Sequence, residues 1–419
     1  MITFRLNTLL RLLLAAALLP LAALKAQAQE PIRIAFIDPL TGTFAAQGES
    51  GLHQLRFAAD YLVNSQGGIL GGREIEIMAL DNQASAQESQ IQLRRAISRG
   101  ARYVFSGNGS AAAATLSSAI ERHNRRNPDE SVLYLNHAAV DPALTQQDCN
   151  FWHFRFDAHA DMKLDALTSF IADNEDIESV YIIGQDYSFG RVVSESTVRF
   201  LNEKRPDIEI AGNELHPIGQ VRDFTPYVTK IVSSGADAVV TGNWGADMVS
   251  LARSLISTGS DIPIYTFYAA YDGITATLGE EGVDRIYLVH ADRSNHNLNE
   301  ERRRYTREFK ERYPEDDLTQ PRIANALRML VTAMQQTGST DPLDVALAME
   351  DMRIDSIGGE EVWMRPDDHQ AHQPLHISVQ TDEGIEFDAD NSGYGLRTVF
   401  TKPLDETIQD TQCRMRRPR

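Results

Sequence analysis

The sequence predicts an α/β fold of two doubly wound, parallel-sheet lobes joined by short crossings. Three observations carry that reading. Short β-branched runs alternate with longer amphipathic stretches along almost the whole chain, the pattern of strand–helix–strand units on a parallel sheet. The alternation restarts near residue 160, and 419 residues exceed what one hydrophobic core usually holds. No Pro- or Gly-rich linker divides the halves, so several crossings are expected instead of beads on a string.

Residues 32–37 read as a first strand, followed by a Gly- and Thr-containing loop over 39–51 and an amphipathic helix over 52–64. A second strand is expected over 74–79, a helix over 87–98 and a third strand over 103–106. Gly107-Asn-Gly then opens a helix over 110–122. A fourth strand covers 132–135, and Asp141-Pro142 supplies an N-cap followed by a first helical residue. After the restart come a helix over 162–172, a strand over 179–183 and a helix over 191–204. Buried strands follow over 238–241, 264–267 and 286–290, with a helix over 246–258. Charged helices over 299–312 and 321–336, a third over 342–352, and strands over 375–381 and 397–401 complete the chain.

Composition excludes several function classes. Hydrophobic residues make up 42% of the chain, too many for wholesale disorder. Lys and Arg number 40 against 59 Asp and Glu, a formal charge of −19 that repels phosphate backbones, so no nucleic-acid partner is expected. Residues 1–28 carry Arg5 and Arg11, a Leu/Ala-rich run over 12–24 and Ala26-Gln-Ala28, the features of a signal peptide cleaved after about Ala28. The run is too short to span roughly 30 Å of hydrocarbon, and no Cys near the cleavage point offers a lipid anchor, so direct membrane insertion is not expected. Cys149 and Cys413 form an even pair in an exported chain; a disulfide is expected, with two free thiols as the alternative.

Several segments, in one order, carry a resemblance. They are Ile32-Arg-Ile-Ala-Phe-Ile37 with Pro39-Leu-Thr-Gly42 and Gln47-Gly48, the turn Asn64-Ser-Gln-Gly-Gly-Ile-Leu-Gly-Gly-Arg73, and Gly107-Asn-Gly-Ser110 with its Ala run. Ala138-Ala-Val-Asp-Pro-Ala-Leu-Thr145, Gln185-Asp-Tyr-Ser-Phe-Gly190, Asp223-Phe-Thr-Pro226 and Arg365-Pro-Asp-Asp-His-Gln370 continue the series. Over residues 31–400 the chain resembles the periplasmic leucine/isoleucine/valine-binding family, the substrate-binding proteins of branched-chain amino acid ABC transporters. The resemblance implies a type I periplasmic binding fold whose lobes close on a small ligand about three crossings, near 155–158, 289–292 and 357–359. It divides the chain into a signal peptide (1–28), an N-terminal lobe (31–155 plus 292–356), a C-terminal lobe (158–289 plus 360–405) and a tail (406–419). Its implied partners are a small-molecule ligand and an ABC permease/ATPase complex, with a periplasmic location and no cofactor.

Cleft chemistry is expected where helices start beyond the strand tips. The turn Gly107-Asn-Gly-Ser110 offers backbone N–H groups and a hydroxyl suited to a carboxylate, although a plain N-cap serine has the same sequence. By resemblance, Ser110 and Ala111 hold the polar end, with the carbonyl of Ala138 and the backbone at Val140, where the family carries a hydroxyl. The family's acid for a ligand ammonium falls at Ala269 or Ala270; Asp272, Asp186 or His137 could replace it. Without such an acid the ligand is a carboxylate, amide or aromatic acid lacking an ammonium. Phe189 and Trp244, both at family Tyr positions, and Tyr268 are expected to wall the other side.

Catalytic and metal signals are weak. His369, His372 and His376 have a helical spacing broken by Pro374, so no metal site is expected. Neither a P-loop nor a GxSxG elbow occurs, and Cys149 with His153 has no activating context. The expected function is therefore non-enzymatic ligand capture for an ABC permease, with a ligand-sensing subunit on the same fold as the alternative.

Overall fold

The computed structural model describes residues 30–270 and 273–418; the expected signal peptide and Asp272 lie outside them. β1 (Ile32–Asp38), β2 (Ile75–Asp81), β3 (Tyr103–Ser106), β4 (Leu133–Asn136) and β5 (His153–Arg155) form one parallel sheet in the order β2-β1-β3-β4-β5. Its strands are nearly continuous apolar runs because helices α1 (Ala45–Leu62), α2 (Ala86–Ser98) and α3 (Ser110–Arg126) intervene between them and cover its faces.

The second lobe begins with α4 (Ala160–Ala172). It continues through β6 (Ser179–Gln185), α5 (Ser188–Lys204), β7 (Glu209–His216), α6 (Thr225–Ser234) and β8 (Ala238–Thr241). Then come α7 (Ala246–Ile256), β9 (Ile264–Thr266), α8 (Ile274–Leu278) and β10 (Ile286–His290). The chain returns to the first lobe for α9 (Glu300–Arg312), α10 (Arg322–Thr337), α11 (Pro342–Met349) and a small antiparallel sheet of β11 (Arg353–Asp355), β12 (Glu361–Met364) and β13 (Ala371–His372). β14 (Leu375–Thr381) and β15 (Gly395–Lys402) then join the second sheet, whose order is β15-β14-β10-β9-β8-β6-β7; β14 runs against the parallel strands and pairs antiparallel with both β10 and β15.

Two cores locate the crossings. Phe156 packs in the first core and Ala158 in the second; Ala291 lies against the second and Tyr305 in the first. The third crossing differs from expectation. Ile357, Val362, Met364 and Ala371 all pack in the first core, and Leu375 is the next residue in the second. The chain therefore crosses at Gln373–Pro374 and not at 357–359, and residues 360–372 belong to the first lobe. Their apolar side chains, alternating along β12, are buried by that core.

The tail is a fourth link. After β15 it runs back to the first lobe, where Gln412 N donates to Gln146 Oε1 (2.7 Å) and Cys413 is disulfide-bonded to Cys149 with Cα atoms 5.7 Å apart. The expected bond is formed.

Candidate functional site

The first lobe supplies a polar wall built around one carboxylate. Asp38 ends β1 and is fully buried. Its Oδ1 accepts from Gly107 N (3.0 Å), Asn108 N (3.0 Å) and Ser106 Oγ (3.2 Å). Its Oδ2 accepts from Asn108 Nδ2 (3.2 Å) and meets His137 Nε2 (2.9 Å), whose other nitrogen meets Gln320 Oε1 (2.9 Å). The N–H groups of Gly107 and Asn108 are thus already satisfied, which corrects the expectation that they are free for a ligand. What the turn still offers is the start of α3: Gly109 at φ 108° reverses the chain, and Ser110 begins the helix with no side-chain cap over its first N–H groups. A Cβ at Gly107 would sit 2.5 Å from Ala138 N, so the absence of a side chain lets the turns of Gly107 and Ala138 meet. The second turn is held from behind by Asn136 Oδ1, which accepts from Ala138 N (3.2 Å) and Ala139 N (2.8 Å). Buried Arg155 holds it too, donating to Asp141 O (2.6 Å).

The second lobe supplies rings. Phe189 packs edge-on against Phe267 (5.6 Å, 90°) and Tyr268 (6.3 Å, 61°). Trp244 Nε1 donates to the Tyr187 hydroxyl (2.9 Å), leaving that hydroxyl's own proton available. Phe44 of the first lobe stacks on Trp244 with centroids 4.1 Å apart, so the lobes meet face to face beside the cleft.

Between the walls lies a charged floor. Asp157, at the first crossing, accepts on Oδ2 from Lys163 Nζ of α4 (2.9 Å) and is 3.3 Å from Arg322 Nε at the start of α10. Burial lowers the Lys163 pKa and the Asp157 charge opposes the fall. Its ammonium also lies over the rings of Tyr268 (5.2 Å) and Phe267 (5.9 Å). Nearby His290 is driven well below the ordinary imidazole range, first by burial and then by His376 and Lys163, so it is neutral and bonded to Ser378 Oγ (2.8 Å). Burial likewise raises the Tyr268 phenol well above its usual value, keeping it a proton donor.

These three surfaces enclose a cavity of about 110 Å³. Ser110, Ala138, Val140, Phe189, Trp244 and Tyr268 all line it, together with Lys163, Asp157 and Arg322. Ala111 is not among the lining residues; its side chain is exposed, which leaves its backbone N–H in the first turn of α3. Among the described residues no cluster of three or more His, Cys, Asp or Glu could hold a metal ion.

The chain matches the family described as periplasmic binding protein over residues 31–384. It belongs to that family. It is 29% identical over 418 residues to the Leu/Ile/Val-binding protein homolog 4 of Brucella abortus, covering 96% of this chain and 97% of the relative. The solved leucine-, isoleucine-, valine-, threonine-, and alanine-binding protein from Brucella ovis, in its closed conformation, is 27% identical with a TM-score of 0.81, covering 93% of this chain and all of that one. A solute-binding protein of an ABC transporter from R. palustris in complex with benzoate shares the fold at 16% identity and a TM-score of 0.77, covering 91% and 99%.

In this periplasmic binding protein two of the three candidates for a compensating acid fall away, and the third, Asp272, lies outside the described residues. Asp186 is half-exposed and bonded to Arg191 Nη2 (2.7 Å), and His137 is consumed between Asp38 and Gln320. Ala270 lines the cavity where an acid was sought, and Ala269 is buried in the core of the second lobe. The floor residues Asp157, Lys163 and Arg322 escaped the sequence reading. One signal pointed to them: Lys163 is a lone cation on the otherwise apolar buried face of α4, a position that demands a partner.

Proposed function

We propose that this chain is the exported solute receptor of an ABC transporter, closing over a small organic ligand and presenting the closed form to the membrane permease. The ligand is an amino acid or a related carboxylate, amide or aromatic acid. The observation that carries this reading is the lobe-straddling cavity, with N–H groups and Ser110 on one side, rings on the other and a shared ion cluster beneath. Ser110, Ala138 and the Val140 backbone hold the polar end, and Phe189, Trp244 and Tyr268 clamp the apolar body. Because the contacts come from both lobes, a ligand binds the closed form better than the open one, and that difference alone drives closure. Relatives named as Leu/Ile/Val-binding proteins support the ligand class, and residues 1–28 support export to the periplasm after cleavage near Ala28. No chemical step is involved.

The test is a thermal-shift screen of amino acids, aromatic acids, amides and amines, followed by small-angle scattering. A stabilising ligand that also shrinks the radius of gyration supports the receptor. A panel that shifts nothing removes it.

A further inference from the structure

The charge inventory of the cavity narrows its ligand, and the step rests on the receptor reading above. Among the described lining residues two cations, Lys163 and Arg322, share a single carboxylate, Asp157, and His290 is neutral. The other polar side chains of the lining, among them the Ser110 hydroxyl, the Tyr187 and Tyr268 phenols and the amides of Gln47 and Asn108, are neutral, and the first N–H groups of α3 add donors. A lining with one more cation than carboxylate is completed by an anion, since the Asp38 carboxylate behind the turn is already met by five groups.

An ammonium fits this inventory badly. It would be the third cation around the one carboxylate, with Lys163 and Arg322 each already within 3.3 Å of it. Two of the ring faces are also engaged, since Lys163 Nζ lies over both Tyr268 and Phe267. The ring edges of Phe189 against Tyr268 and Phe267 form a wall to which another ring packs well.

We infer that the cavity takes a ring-bearing monocarboxylate without an α-ammonium, with Lys163 and Arg322 as the residues that read its charge. The carboxylate balances the second cation of the floor, and the ring lies against the aromatic wall.

Calorimetric titration of the wild-type protein with matched pairs tests this directly. 3-Phenylpropanoate and L-phenylalanine differ only by the ammonium, as do 4-methylpentanoate and L-leucine; glycine betaine adds a quaternary cation. The deaminated member of each pair is expected to bind at least about tenfold more tightly, and 3-phenylpropanoate more tightly than 4-methylpentanoate. Lys163→Met and, independently, Arg322→Gln should shrink the ratio within each pair, a readout that simple loss of packing does not move. An amino acid that binds as well as or better than its deaminated counterpart, or betaine that binds as well as 3-phenylpropanoate, overturns the inference while the receptor stands. That result is also what an ammonium partner at Asp272 would produce. If none of the five compounds binds, the inference fails; the receptor reading fails only if the broad screen is also empty.

Discussion

The two walls of the cleft are built by opposite means. The first-lobe wall is a hydrogen-bonded construction in which Asp38 alone gathers five groups, and Asn136 and Arg155 fix the adjoining turn from behind. The second-lobe wall holds its shape by ring packing, with one notable hydrogen bond from Trp244 to Tyr187. Polar networks in a low-dielectric interior set geometry and fail steeply when a member is removed. Ring contacts are less directional and contribute mainly through buried area. The first wall is therefore suited to orienting a ligand and the second to holding it, so damage to each should read out differently.

The sharpest break is at Asp38. Asp38→Ala strands Gly107 N, Asn108 N, Ser106 and His137 in a dry interior, at a cost of about 3–5 kcal/mol in urea unfolding, with binding lost as the turn relaxes. Next is the link that belongs to neither wall. Replacing Cys149 and Cys413 together by Ser should lower stability by about 2–4 kcal/mol while leaving the ranking of ligands unchanged. A changed ranking would mean that the tail shapes the cleft. On the aromatic wall, Trp244→Ala removes the surface stacked on Phe44 and should weaken binding by about 2–3 kcal/mol, with Trp244→Phe in between. Calorimetry separates this from Asp38→Ala, because a ring loss should cut affinity for every ligand alike.

Acid stresses the polar wall as well. Behind the polar wall, His153 accepts from Asn136 Nδ2 (3.1 Å) on one nitrogen and donates to Leu144 O (3.2 Å) from the other. Burial, reinforced by the Arg155 charge, pushes it down to about 3. The unfolded chain takes up this proton below about pH 6.5 and the folded chain does not, so stability falls as the pH drops through that value. Between pH 6.5 and 5 the loss is about 2 kcal/mol for this residue, read from urea midpoints, and His153→Gln should flatten the slope by about one proton.

How much of this was legible in the sequence follows from how local each feature is. Ser110, Ala138, Val140, Phe189, Trp244 and Tyr268 each sit at a strand tip or helix start within a short recognisable segment, and all reach the cavity. The Ala111 side chain turns away from the cavity because a helix rotates about 100° per residue, so at that position only the backbone N–H at the start of α3 is left for a ligand. Asp157 and Lys163 lie six residues apart at the first crossing, but Arg322 comes from the start of α10, and only the folded chain brings it to them. β7 went unread because Glu209–His216 is an edge strand with a half-exposed, mixed sequence and no apolar run. The third crossing was misjudged because β12 and β13 have too few residues to declare which core buries them. Asp38 lies just past the strand read over 32–37 and went unremarked; that its carboxylate is spent on the turn of Gly107 depends on the register of β1 beside β3.

The smallest expected effect is the most specific to the orienting wall. The hydroxyl of Ser110 has no side-chain cap to make, so its removal strands nothing inside the protein and stability should stay within about 0.5 kcal/mol. The first N–H groups of α3 remain in Ser110→Ala, because they belong to the backbone. What disappears is one donor to the ligand, worth about 1 kcal/mol or roughly fivefold in affinity. The loss should be confined to ligands that carry a carboxylate or another strong acceptor. If amides and carboxylates lose alike and the aromatic-wall variants lose them unequally, the assignment of orienting and holding roles to the two walls is reversed.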